Sequence, residues 1–227
     1  MTTRWPHKEL HSNVGNLLKE AVFGFNDGVV STFAIVAGFT GGLAEQKMIL
    51  LGALATLVAG AFSMGLGTYL GSKSEKEHYE SELKREIYEI ENLPHIERQE
   101  IRDIYEKKGF KGELLEKVTE QIASNRKVWL ETMMQQELGF AQSPPKPGIN
   151  GLTMSISFVA GSIIPTFPYF WGVNFALSLV LSAVGLLVAG TLKTRFTGKN
   201  IFLSALETLL IGAVAAVGTY TIGVFLT

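Results

Sequence analysis

Residues 21–42 read AVFGFNDGVVSTFAIVAGFTGG, a run whose only charged side chain is Asp27. A bilayer core about 30 Å thick is crossed by about 20 mostly apolar residues in a helix. The stretch therefore predicts a membrane span that carries an acid. Met48 to Gly71 is a second apolar run with no charge. From Gly148 to Leu192 there are 45 residues without Asp, Glu, Lys, Arg or His. That length suits two spans, with the turn expected at Pro165-Thr-Phe-Pro168, because proline breaks helices and restricts the residue before it. Ile201 to Thr227 is a fifth run, interrupted by Glu207. The fold class expected is all-α: an integral membrane protein of five transmembrane helices. The first run starts late, holds an aspartate and lacks a small-x-small cleavage pattern, so it is not expected to be removed as a signal peptide.

The remaining charge is concentrated elsewhere. The 227 residues hold 20 Lys plus Arg and 21 Asp plus Glu, a net charge of −1. Residues 72–143 contain 28 of those 41 charges, 16 acidic and 12 basic. No basic stripe is present, so nucleic acid is not an expected partner. The absence of cysteine excludes disulfides, thiolate ligands and cysteine nucleophiles. The predicted organisation is an N-terminal interfacial helix in 1–20, spans one and two in 21–71, a charged helical domain in 72–143, and a linker with spans three to five in 144–227. Arg4, Lys8 and Lys19 precede the first span, and Lys193, Arg195 and Lys199 lie between the fourth and fifth. By the positive-inside rule the N-terminus and residues 72–143 are cytosolic. Plasma membrane and vacuole-like membranes share that orientation.

Within 72–143 the breakers predict helices over Ser74–Glu91, His95–Lys108 and Glu113–Ala123. A last helix, capped by Asn125, runs to Leu138. Glu86 with Glu89, and Glu97 with Glu100, are three apart, so each pair projects from one helix face. Met133 and Met134 precede Glu137 on the last helix. Converging carboxylates make a hard oxygen site for divalent cations, and a thioether shifts preference toward transition metals. The same spacings also fit a solvated acidic face with Met133, Met134 and Trp129 as core. Glu75-Lys-Glu-His78 has the spacing of a di-iron carboxylate motif, but a second copy is missing. An acid within a bilayer is costly and marks function by default, which singles out Asp27 and Glu207. Met64 adds a soft ligand in the second span. Gly24/Gly28, Gly38/Gly42 and Gly67/Gly71 have small-xxx-small spacing, for packing within one bundle or across a dimer.

The chain resembles the vacuolar iron transporter family of Fe²⁺/H⁺ exchangers. The features that carry the likeness are Asp27-Gly28 with Phe33-Ala34, Ala59-Gly-Ala-Phe-Ser-Met-Gly65, Lys73-Ser-Glu, Glu82-Leu-Lys-Arg-Glu86, Met133-Met134 with Glu137-Leu-Gly, Ile164-Pro165 and Leu206-Glu-Thr. The resemblance implies a homodimer with its path at the dimer interface and a cytosolic metal-binding domain. It implies metal ligands at Glu86, Glu89, Glu97, Glu100, Met133, Met134 and Glu137, and a transport pathway through Asp27 and Met64. Plant members carry a second-span glutamate where Thr56 stands here. The expected function is proton-coupled movement of cytosolic Fe²⁺, and possible Mn²⁺ or other divalents, out of the cytosol. The partners are metal ions, protons and the lipid bilayer. No enzyme activity, catalytic residue or cofactor beyond the transported ion is expected. The alternatives are a Mn²⁺ exporter, or a membrane-anchored metal buffer or ferroxidase without transport.

Overall fold

The computed structural model describes residues 12–141, 143–172 and 175–227; Arg4 and Lys8 lie outside them. Among the described residues eight α-helices follow in order: α1 Ser12–Gly41, α2 Gln46–Asn92, α3 Pro94–Lys107, α4 Gly112–Ala123, α5 Arg126–Thr132, α6 Pro147–Thr166, α7 Phe175–Thr197 and α8 Ile201–Phe225. A π-helical turn, Met133–Glu137, continues α5, and a 3₁₀ turn, Phe167–Trp171, continues α6. No strand occurs among the described residues. Five helical stretches among the described residues are long and apolar enough to cross a membrane: Leu17–Gly41, α2, Pro147–Trp171, Phe175–Thr194 and α8. The chain divides into two compact units, one built on Gly71–Lys146 and the other on Val14–Leu70 with Pro147–Thr227.

In the apolar unit α1 is the most buried span, and Val29, Thr32 and Val36 are wholly enclosed. Glycine sets how closely its neighbours approach. A Cβ at Gly28 would stand 2.2 Å from the Phe158 carbonyl oxygen, and one at Gly161 would stand 2.1 Å from that of Phe25. α1 and α6 therefore meet backbone to backbone, and the Ser162 hydroxyl donates to the Gly28 carbonyl at 3.2 Å. At the other end of α1, Gly223 of α8 approaches the Gly38 carbonyl just as closely. Two of the three glycine pairs thus pack inside one bundle. Gly67 and Gly71 meet nothing within 4 Å. Phe33, Val36, Ile49, Tyr169 and Ala216 form the core between these helices.

Three local expectations change. The described part of the expected N-terminal helix, residues 12–20, continues into the first span without a break, since nothing between Glu20 and Ala21 stops a helix. The second span and the Ser74–Glu91 helix are likewise one helix of 47 residues. Its exposed stretch is supported by Lys73–Glu77 and Lys76–Glu80 pairs at i,i+4. Finally, Pro165 lies inside α6 rather than in a turn. Near a helix end proline forfeits only one hydrogen bond, and the Pro165 carbonyl accepts one from the Ser178 hydroxyl at 2.8 Å. The helical path ends instead at Gly172, whose φ of 75° is left-handed.

The charged unit encloses its own core of Ile90, Ile101, Ile122, Trp129 and Met133. Arg102 and Glu116 pair between α3 and α4 at 2.9 Å, and Arg98 pairs with Glu120. The Asn125 side chain caps α5 by accepting from the Lys127 and Val128 amides.

The glycine contacts set up a contrast measurable by thermal unfolding in detergent. Gly28→Ala forces α1 from α6 and is expected to cost about 1–3 kcal/mol, as overpacking does. Gly67→Ala has open space and a helical backbone, so it should be neutral or stabilising by up to about 1 kcal/mol. Equal effects at both positions would contradict the close α1–α6 contact.

Candidate functional site

Near its end, α2 carries Glu86 and Glu89, and the following helix α3 carries Glu97 and Glu100. Glu86 is 1 % exposed and Glu97 is 3 % exposed. Each has a buried carboxylate oxygen, Oε2, without a hydrogen-bond partner among the described residues. Withdrawal from water pushes both carboxyl groups from 4.5 up to about 7. Neighbouring acids add to it: Glu137, Glu89 and Glu100 act on Glu86, while Glu100, Glu86, Glu89 and Glu137 act on Glu97. Glu100 and Glu137 are also raised, by partial desolvation first and then by nearby carboxylates. Glu89 is half-buried and Glu137 is exposed. The five glutamates expected from the sequence thus lie within electrostatic reach of one another.

One cation works against this repulsion. Arg85 pairs with Glu82 at 2.7 Å and reaches Glu89 at 3.6 Å and Glu86 at 3.8 Å. Its role was overlooked in the sequence, although its places at i,i+4 from Glu89 and i,i+3 from Glu82 were a usable signal. Arg85 is half-exposed and shared among three acids, so it compensates them incompletely. Among the described residues no three Asp, Glu or His side chains close to a metal-gripping distance. The arrangement is a loose group of partly protonated carboxyls rather than a tight cage.

The π turn places the two methionines. The Leu138 amide donates to the Met133 carbonyl, five residues back, and the Phe140 amide reaches the Met134 carbonyl across left-handed Gly139. Such turns add a residue to a helix and recur at functional sites. Met133 and Met134 are both buried, but differently. Met133 packs in the core with Trp129 and Ile101, whereas Met134 is outside that cluster. His78, from the di-iron-like motif, is 65 % exposed and its ring lies against Phe140.

In the apolar unit Asp27 sits one residue before the tight Gly28 contact. Its Oδ1 accepts from the Ser31 hydroxyl at 3.0 Å, and the side-chain oxygen of Asn26 beside it is buried without a partner among the described residues. Met64 is half-buried on α2. Thr56 turns its hydroxyl back onto the Gly52 carbonyl at 2.8 Å, so it offers no substitute for a carboxylate. Glu207 is 58 % exposed and pairs with Lys193 at 3.5 Å. That ion pair between α7 and α8 was not foreseen, because the two residues are distant in sequence.

The raised carboxyl groups give a signed pH dependence. Their native pKa lies above the unfolded value, so the native state binds more protons between about pH 4.5 and 7. Stability of the charged unit must fall as pH rises through that window. Hydrogen exchange in the full chain, corrected for intrinsic rate, should show α3 better protected at pH 5 than at pH 8. Glu86→Gln should flatten the difference. Protection that increases with pH would contradict the burial of these acids.

A sequence model of the VIT family matches residues 18–224. The chain is 39 % identical over 220 residues to vacuolar iron transporter 1 of Oryza sativa subsp. japonica, covering 94 % of this chain and 87 % of that protein. It is 36 % identical to vacuolar iron transporter 1 of Tulipa gesneriana, covering 94 % and 89 %. It is 35 % identical to vacuolar iron transporter 1 of Arabidopsis thaliana, covering 94 % and 88 %. With a family match across nearly its whole length and relatives covered almost end to end, the chain belongs to the VIT family.

Proposed function

We propose that this protein is a proton-coupled exporter that carries cytosolic Fe²⁺ across a membrane, with the glutamates of its charged unit capturing the ion. One observation carries the reading most directly: two buried, incompletely compensated carboxyls sit among three further glutamates in a chain with five membrane-length apolar helices. The names of its relatives supply the ion.

The capture step follows from charge. Glu86 and Glu97 titrate near neutrality, so a divalent cation must displace protons to bind them, and its two charges relieve the repulsion that raised their pKa. Rotation of Glu89, Glu100 and Glu137 would complete an oxygen-rich shell. Met134 is the thioether less committed to core packing, and it biases the site toward a transition metal over Ca²⁺ or Mg²⁺. Met133 would serve only by leaving its core contacts. The ion then passes Asp27, with Met64 as a soft ligand on the path. An ionised Asp27 attracts the cation and a protonated one releases it, which couples metal outward to proton inward. A homodimer is supported by the face of α2 that exposes Leu51, Val58, Phe62 and Leu66. Glu207 is paired to Lys193, which leaves its place on the pathway resting on the sequence alone.

The test is flux. Purified protein in liposomes with an acidic interior should take up Fe²⁺ while an internal dye reports rising pH. Loss of a few kcal/mol of cation stabilisation corresponds to about a hundredfold, so Asp27→Asn should reduce uptake by about that factor. Mn²⁺ in place of Fe²⁺ tests ion choice. Absent flux, or flux that Asp27→Asn leaves unchanged, would overturn the exporter reading.

A further inference from the structure

The guanidinium of Arg85 stands between two sets of acids on one face of α2. Toward the start of the helix its Nη2 lies 2.7 Å from Glu82 Oε2. Toward the end, Nε lies 3.6 Å from Glu89 and Nη2 lies 3.8 Å from Glu86. Only the first of these is within hydrogen-bond distance. The firm contact is therefore with Glu82, the acid outside the candidate metal site. His78 Nδ1 is 4.0 Å from Glu82, so Arg85 is its nearer partner. The Arg85 side chain is half-exposed whereas that of Glu86 is enclosed. The guanidinium can move at the rim while the carboxyl beneath it stays in place. Its charge also reaches further than its contacts, drawing Glu86, Glu100 and Glu137 down against the burial that raises them.

We propose, on the reading that these glutamates capture the ion, that Arg85 is a tethered competitor of that ion. It shares the Glu86 and Glu89 carboxylates before the metal arrives and withdraws onto Glu82 when the metal binds. A divalent cation and a guanidinium cannot both hold the same carboxylates at close range, because their like charges repel. Deprotonation offers no escape, since arginine keeps its charge. Movement does, and Glu82, three residues back on the same helix face, supplies the destination. Glu82 thereby sets the affinity of a site it does not enter: the more firmly it holds Arg85, the less the metal has to displace. An Arg85 that merely braced the glutamates would act in the opposite sense, and its removal would weaken metal binding.

The test is anaerobic calorimetric titration of the full chain in detergent with Fe²⁺, at pH 8, above the range in which Glu86 and Glu97 take up protons. An Asp27→Asn background removes the acid of the proposed path, so that the charged unit is read. Glu82 and Arg85 lie outside the hydrophobic cluster of that unit, so neither substitution opens its core. Glu82→Gln should weaken Fe²⁺ binding by about fivefold, the upper end for an exposed ion pair. Arg85→Gln should tighten it by a similar factor. Adding Glu82→Gln to Arg85→Gln should leave affinity unchanged within about twofold. Binding that survives Glu86→Ala with Glu97→Ala overturns the capture reading and the competitor role with it. Three results overturn the competitor role alone, in a chain whose binding that double variant abolishes: affinity unmoved by Glu82→Gln, equal weakening by Glu82→Gln with and without Arg85, or weaker binding in Arg85→Gln.

Discussion

The withdrawal of Glu86 and Glu97 from water is the constraint to which the charged unit is fitted. A buried carboxylate needs a counter-ion or a proton, and the fold supplies neither in full. Arg85 is divided among Glu82, Glu86 and Glu89, so the balance is met by protonation near neutrality. The acids stay buried because the hydrophobic cluster beneath them, with Ile90, Ile101 and Trp129, fixes the approach of α2, α3 and α5. Hydrophobic packing holds like charges together, and under the proposed function the stability it forgoes becomes affinity for a divalent cation.

The apolar unit obeys a different constraint, set by backbone contact. Gly28 and Gly161 let α1 and α6 touch without side chains between them. Asp27 and Asn26 therefore occupy a helix that cannot shift readily. An acid in such a place is specified by its surroundings, and its hydrogen bond from Ser31 stays within α1. Thr56, bonded to its own helix, adds no carboxylate to Asp27 on the proposed path.

Much of this was legible in the sequence. Segregated charge and apolar runs of membrane length located all five long helices. Proline, glycine and Asn125 marked the end of α2, both ends of α3 and α4 and the start of α5 within a residue or two, whereas α5 gives way to the π turn six residues before the expected end at Leu138. The i,i+3 spacing identified pairs of glutamates on common faces, but how near the pairs come to one another depends on tertiary packing. The π turn had no sequence signal, since its residues are ordinary helix formers and only the Met133–Leu138 hydrogen bond reveals it. It also split the two methionines into a core residue and one outside the core cluster. Pro165 misled because a proline that ends a helix and one that sits in its last turn look alike in sequence. Glu207 read as an isolated acid in a span because its partner, Lys193, belongs to another helix.

In the proposed function the glutamate unit captures the ion while the membrane helices carry it. The most direct measurement is the concentration dependence of Fe²⁺ uptake into vesicles whose charged unit faces outward, for wild type and for Glu86→Ala with Glu97→Ala. Capture separate from passage predicts that the variant needs more Fe²⁺ for half-maximal uptake but reaches the wild-type rate at saturation. An unchanged half-saturation concentration, in a variant that still folds and transports, would contradict it.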